Sequence, residues 1–355
     1  MRVLTRTGVL CTALLVSIGV VTPTHAQPNP YEQVDPPVPP SHLNDGRWGE
    51  TIQVRVGPAG NVYVYHRCFK AVMGDPNVAP GHSDGLTANC LGRWSGYPPV
   101  LKFSRDGQFL DGFGVGLVGR PHGFSVDHEG NMWLTDVALA PGEMGAVVHK
   151  LNPAGDLVMT LGQPGVVGQD RQTFDRPASV AVAENGDIFV ADGEGPNNRI
   201  VKFSPEGRYV MEWGTTGAGP GEFSTPHDLA IDSQGRLFVG DRGNSRIQIF
   251  QPDGTFVDEW RHFGRPSGIY VNRATDTLYV TDSTSNSRTN PGVRRGIYIG
   301  SARTGELTAF IPDPDLELAD QTRISGASGI TSSHDDSVVY AADVAPWRIR
   351  KYVRR

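Results

Sequence analysis

Cysteine is scarce: three in 355 residues, at positions 11, 68 and 90. No two of them form a C-x-x-C pair, so a thiolate metal knuckle has little support. Beyond residue 26 no run approaches the roughly 18 apolar residues that a membrane helix needs. There is no G-x-S-x-G elbow, no phosphate loop and no dinucleotide fingerprint in a strand-to-helix setting, which disfavours serine-hydrolase and nucleotide chemistry. Lys and Arg are scattered among 38 acidic residues. Without a basic stripe to displace counterions, nucleic acid is not an expected partner.

The start of the chain is built differently from the rest. Arg2 and Arg6 precede the apolar run from Val9 to Val21, and Thr24-His25-Ala26 supplies small residues before Gln27. This pattern predicts a secretory signal peptide over residues 1–26. Cys11 lies too early in the run for a lipoprotein anchor, and the run is short for an uncleaved membrane anchor. Cleavage would lower Lys plus Arg from 32 to 30 against 38 acids, a net charge of −8. The expectation is an exported, acidic protein, monomeric and with no membrane attachment after cleavage. In an oxidising compartment Cys68 and Cys90 would form a disulfide, closing a loop of about 22 residues worth roughly 3 kcal/mol.

What the chain has in quantity is turn residues, 44 Gly and 27 Pro, and a repeat. RPHGFSVDHEGNMWLTD (120–136) recurs as RPASVAVAENGDIFVAD (176–192) and TPHDLAIDSQGRLFVGD (225–241). Looser copies are RPSGIYVNRATDTLYVTD (265–282), GASGITSSHDDSVVYAAD (326–343) and TIQVRVGPAGNVYVYH (51–66). Each copy alternates apolar and polar residues, turns at Gly, Asn or Asp, and alternates again, which is the hairpin pattern. Further strands follow, as in RIVKFSPEGRYVMEWG. Six units of four antiparallel strands predict an all-β, six-bladed propeller over residues 47–355. The last unit ends at WRIRKYV with one strand missing. The proline-rich arm, residues 27–46, is the candidate to supply it.

Equivalent repeat positions form rings around a propeller axis. The position after the leading Pro holds Ile52, His122, Ala178, His227, Ser267 and Ser328. Inward histidines on blades two and four suit a metal, because three such ligands and one open position make a catalytic zinc site. A carboxylate, a water, or a loop histidine (His82, His262 or His334) could complete it. The ring at the motif's end reads His66, Asp136, Asp192, Asp241, Asp282 and Asp343, one group per blade, suited to capping loop amides. One residue further on, Arg67 and Arg242 face each other across the mouth, placed to clamp a carboxylate.

These residues also carry a resemblance. FSTPHDLAIDSQGRLFVGDRGNSRIQIF is similar to an NHL repeat. RPHGFSVDHEGNMWLTDVAL, RPASVAVAENGDIFVADG and DRGNSRIQIF resemble the peptidyl-α-hydroxyglycine α-amidating lyase family. That family is a secreted six-bladed propeller that cleaves a peptidyl-α-hydroxyglycine to a peptide amide and glyoxylate. The resemblance implies zinc at His122 and His227, calcium held by the backbone carbonyls of Val54 and Phe124, and active-site roles for Arg67 and Arg242. It covers repeats one to four best. Two positions depart: the third zinc histidine is Ser328, and the catalytic tyrosine after the third-blade Asp-Gly is replaced, with Glu194 as the nearest candidate base. The expected substrate is a small molecule or peptide bearing a carboxylate. Two alternatives stand beside the lyase: a metal-dependent hydrolase or lactonase, and a non-catalytic propeller that binds a peptide or glycan.

Overall fold

The computed structural model describes residues 27–68, 89–91, 95–138, 144–316 and 326–355. The expected signal peptide and His82 lie outside these residues. Six four-stranded antiparallel sheets are present, each with its strands in the order of a blade. Blade one comprises Glu50–Val56, Val62–Arg67, Val100–Phe103 and Phe109–Phe113; blade two comprises Pro121–Val126, Met132–Asp136, Val147–Leu151 and Leu157–Leu161. Blades three, four and five begin with the inner strands Pro177–Val182, Pro226–Ile231 and Pro266–Asn272. Among the described residues blade six has three strands of its own, Gly326–Ser332, Val338–Ala345 and Arg348–Arg354. Its outer strand is Tyr31–Val34 from the N-terminal arm, antiparallel to Arg348–Arg354. The proline-rich arm thus completes the blade and closes the ring.

The strands form where β-branched and aromatic residues alternate, as in Ile188–Asp192 (IFVAD) and Arg246–Phe250 (RIQIF). Inner hairpins turn at glycines in the left-handed region, such as Gly130 (φ 84°), a conformation that costs other residues. A blade cannot bury both faces alone, so the core lies between blades. One cluster packs Tyr65, Val100 and Phe113 of blade one against Phe124, Met132 and Leu134 of blade two. Similar clusters fill each successive junction, ending with Val54 and Leu101 of blade one against Tyr340 and Ala342 of blade six.

The carboxylates at the ends of the second strands have a structural task. Asp136 accepts bonds from the backbone amides of Gly119, Arg120 and Ala138 at 2.7–2.9 Å. Asp192, Asp241 and Asp343 are buried against Arg199, Arg246 and Arg350 at 3.1, 2.8 and 2.7 Å. In blade one the same place holds His66, whose ring nitrogens lie 2.9 Å from the Cys68 carbonyl and 3.1 Å from that of Pro98. Burial, only partly offset by these two carbonyls, lowers this imidazole from 6.5 to about 4. Between these values the unfolded chain binds a proton that the fold refuses, so stability falls as pH drops from about 6.5 towards 4. The loss is about 3 kcal/mol from this residue. Melting curves across that window should slope less steeply for His66→Gln; identical slopes would contradict this account.

Cys68 and Cys90 form the expected disulfide, with Cα atoms 5.0 Å apart across 22 positions. The Cys90 amide also bonds to the Gly119 carbonyl at 2.9 Å. The link therefore fixes the chain immediately after Arg67, at the mouth of the channel. It fits an oxidising, extracellular or lumenal setting. Among the described residues, no helix is long and apolar enough to cross a membrane.

Candidate metal centre at the channel mouth

Each inner strand opens with a break in register. The shifts fall between Pro121 and Phe124 in blade two and between Pro226 and Leu229 in blade four, with counterparts in the other four blades. A bulge re-aims the side chains beside it, and here it covers the residue after the leading Pro. His122 and His227 are therefore turned to the axis and stand edge to face, ring centroids 4.9 Å apart. They are 5% and 3% exposed.

Each imidazole is fixed through Nδ1. That of His122 lies 2.7 Å from the Ala178 carbonyl and that of His227 lies 2.5 Å from the Ser267 carbonyl, in both cases the equivalent ring position of the next blade. A carbonyl can only accept, so Nδ1 carries the proton and Nε2 keeps its lone pair. This is the second-shell arrangement that prepares a histidine for a metal. Burial lowers His122 to about 4 and His227 well below its ordinary value, so both rings are neutral near pH 7.

The third donor is Glu194. It follows Gly193, where a Cβ would come within 2.2 Å of the Pro226 carbonyl. Only glycine allows the blade-three loop this close to the residue preceding His227. The Glu194 carboxylate lies 3.3 Å from His227 Nε2 and 3.9 Å from His122 Nε2. Donor atoms of the three residues all lie within 4.8 Å of one another. Burial would raise the Glu194 carboxyl, but Arg242 foremost, with the two imidazoles and Arg67, outweighs it and holds the group ionised, well below the usual carboxylate range. A carboxylate so depressed is a weak general base and a competent ligand. Glu194, considered above as a base, thus stands with the two histidines as a candidate metal donor.

Ser328 supplies no imidazole; its carbonyl accepts from the Thr281 hydroxyl at 3.2 Å. Nor do the two described loop histidines fill the gap. His262 bonds to the Gly305 carbonyl at 2.6 Å, and His334 lines a cavity of about 390 Å³ at the opposite mouth.

Arg242 sits on a single turn, Arg242–Asn244, directly after Asp241. Its Nη2 donates to Glu194 at 2.8 Å, leaving Nε and Nη1 without protein partners among the described residues. Arg67, 7% exposed, donates through Nε to the Pro121 carbonyl at 3.0 Å and through Nη1 to Glu50 at 2.7 Å. Its Nη2 has no protein partner among the described residues. Arg120 adds a third cation; burial and then the nearby Arg67 lower it only to about 10. The mouth therefore combines neutral nitrogen donors, one carboxylate and open guanidinium donors, a setting that attracts an anion. Glu50, which orients Arg67, escaped the repeat reading because it precedes the copied motif.

The calcium expectation meets a different structure. Val54 and Phe124 do occupy matching inner-strand positions, but the Val54 carbonyl accepts from the guanidinium of Arg55 at 3.0 Å. A divalent ion on that oxygen would face a resident cation. These residues do not fit calcium.

Comparison with known proteins agrees with this architecture. The NHL repeat model matches residues 174–203 and 223–250. NHL repeat-containing protein 3 of Mus musculus is 30% identical over 275 residues, 74% of each chain. The chain belongs to the NHL-repeat family. This NHL propeller is also 39% identical, over 147 residues, to a probable peptidyl-alpha-hydroxyglycine alpha-amidating lyase of Caenorhabditis elegans, covering 40% of each chain. A gluconolactonase of Xanthomonas campestris shares the fold, with a TM-score of 0.57 at 16% identity, covering 94% of this chain and 99% of that one.

Proposed function

We propose that this chain is an exported, metal-dependent lyase that cleaves the C–N bond of an α-hydroxyglycine-type N,O-hemiacetal to an amide and glyoxylate. The observation that carries the reading is the convergence of His122, Glu194 and His227 with the open donors of Arg242 and Arg67. Two imidazoles and a carboxylate are a donor set used by catalytic zinc. When bound, zinc supplies a Lewis acid that polarises the substrate hydroxyl. Arg242 and Arg67 bind the substrate carboxylate and fix the carbinol carbon beside the donors. As the C=O bond forms, the C–N electron pair moves to nitrogen, and the proton given up by the hydroxyl passes through water to that nitrogen, which leaves as the amide. Guanidinium donors already in place offset the negative charge that grows on oxygen.

One feature favours a second reading. Glu194 brings a negative charge to the donor set where the lyase family has a phenol nearby, and two histidines with one carboxylate is also the set of metallohydrolases. Zinc content and glyoxylate release from α-hydroxyhippurate test the first reading. Both are expected. Protein that takes up no zinc, or zinc-loaded protein that releases no glyoxylate, would overturn it; turnover of esters or lactones instead would establish the hydrolase.

A further inference from the structure

Below the metal donors, the channel is crossed by a buried network centred on Arg55. This side chain is 7% exposed and rises from the inner strand of blade one. Its Nη1 donates to Gln53 Oε1 at 2.7 Å, to the Val54 carbonyl at 3.0 Å and to the Ile330 carbonyl of blade six at 2.9 Å. Its Nη2 lies 3.5 Å from Asp228 Oδ2 on blade four, directly across the ring. Asp228 is fully buried. Besides Arg55, it accepts from Ser179 Oγ at 2.6 Å, the Ile269 amide at 2.9 Å and Gln53 Nε2 at 3.2 Å.

Two inner-strand carbonyls, a side-chain amide oxygen and a carboxylate surround one positive charge on the axis. Uncharged carbonyls and a lone carboxylate make an oxygen-rich pocket of the kind that takes a hard cation. Here the charge arrives covalently, on a side chain with five donors in a fixed plane. A second cation at the Val54 carbonyl would be repelled at close range in a poorly screened interior. We infer that Arg55 is the resident cation of the channel: it ties blades one, four and six together without calcium, and its removal uncovers a Ca²⁺ site built from the carbonyls of Val54 and Ile330, Gln53 and Asp228.

The inference is independent of the reaction at the mouth. It is tested on the full chain by mass spectrometry for bound calcium and by melting in calcium and in EGTA. Wild-type protein is expected to carry no calcium and to melt alike in both; a fall in EGTA counts only if calcium, and not zinc, reverses it. Arg55→Ala leaves Asp228 buried without its cation and should melt roughly 10 °C lower. Millimolar calcium should recover part of that loss, and magnesium, which demands a stricter octahedron, should recover less. Arg55→Lys keeps the charge and should stay indifferent to calcium. Stoichiometric calcium in the wild type, its calcium-reversible destabilisation by EGTA, or a folded Arg55→Ala protein that ignores calcium would each overturn the assignment. Should Arg55→Ala fail to fold, the wild-type and Arg55→Lys measurements decide it.

Discussion

His227→Ala should lose the metal, and with it nearly all turnover. Metal affinity is expected to fall by more than ~100-fold, because disturbing even a second-shell partner costs about 10–100-fold. The geometry explains why this residue is decisive. Its Nε2 is the imidazole atom nearer the Glu194 carboxylate, at 3.3 Å against 3.9 Å for His122. Its Nδ1 is fixed by the Ser267 carbonyl, and among the described residues only His122 and Glu194 group with it as candidate ligands. With one nitrogen and one carboxylate left, the site has too few donors to hold a divalent ion against dialysis. Metal content after exchange into a weak competitor, read beside a melting curve, separates this from unfolding. A folded His227→Ala protein with full metal occupancy would remove the basis for the proposed centre.

Arg242→Ala should give the opposite pattern: metal retained, catalysis lost. The guanidinium has two tasks, holding Glu194 at 2.8 Å and offering Nε and Nη1 to an incoming anion. Loss of a buried charge-assisted contact costs about 2–5 kcal/mol. That corresponds to a fall in kcat/KM of roughly 30- to 5,000-fold for a substrate bearing a carboxylate. Lysine at this position is a point charge without the planar fork and should restore only part of the activity. A substrate analogue with the carboxylate replaced by an amide should lose most of its sensitivity to the substitution. Equal losses for both substrates would show that Arg242 acts only by positioning Glu194. Metal loss comparable to that of His227→Ala would place the residue in the metal site's support and not in substrate binding.

The two substitutions also mark how far the sequence could be read. His122 and His227 were visible because each follows the leading Pro of a repeat copy, and copies are superimposed by the ring. Arg67 and Arg242 were visible for the same reason. The blade count came from periodicity, the disulfide from two cysteines left in an exported chain, and the extra strand in blade six from a missing one. Each of these is a relation along the chain, or between copies of one pattern.

Relations across the axis are different. Glu194 lies in the loop that follows Asp192, where no other copy has a carboxylate at the same place, and its contact with two histidines depends on Gly193 admitting the loop against Pro226. Arg55 reads in the sequence as one more polar residue in an alternating strand, while the calcium expectation rested on its neighbour Val54. Only closure of the ring sets Asp228 and the Ile330 carbonyl against the guanidinium. The sequence by itself determined the blades, their closure and the two histidines, because periodic burial and repeat position specify which face each side chain takes. The tertiary structure alone brought Glu194 to the two histidines and set the guanidinium of Arg55 against Asp228. Those depend on distances between blades, which no local pattern encodes.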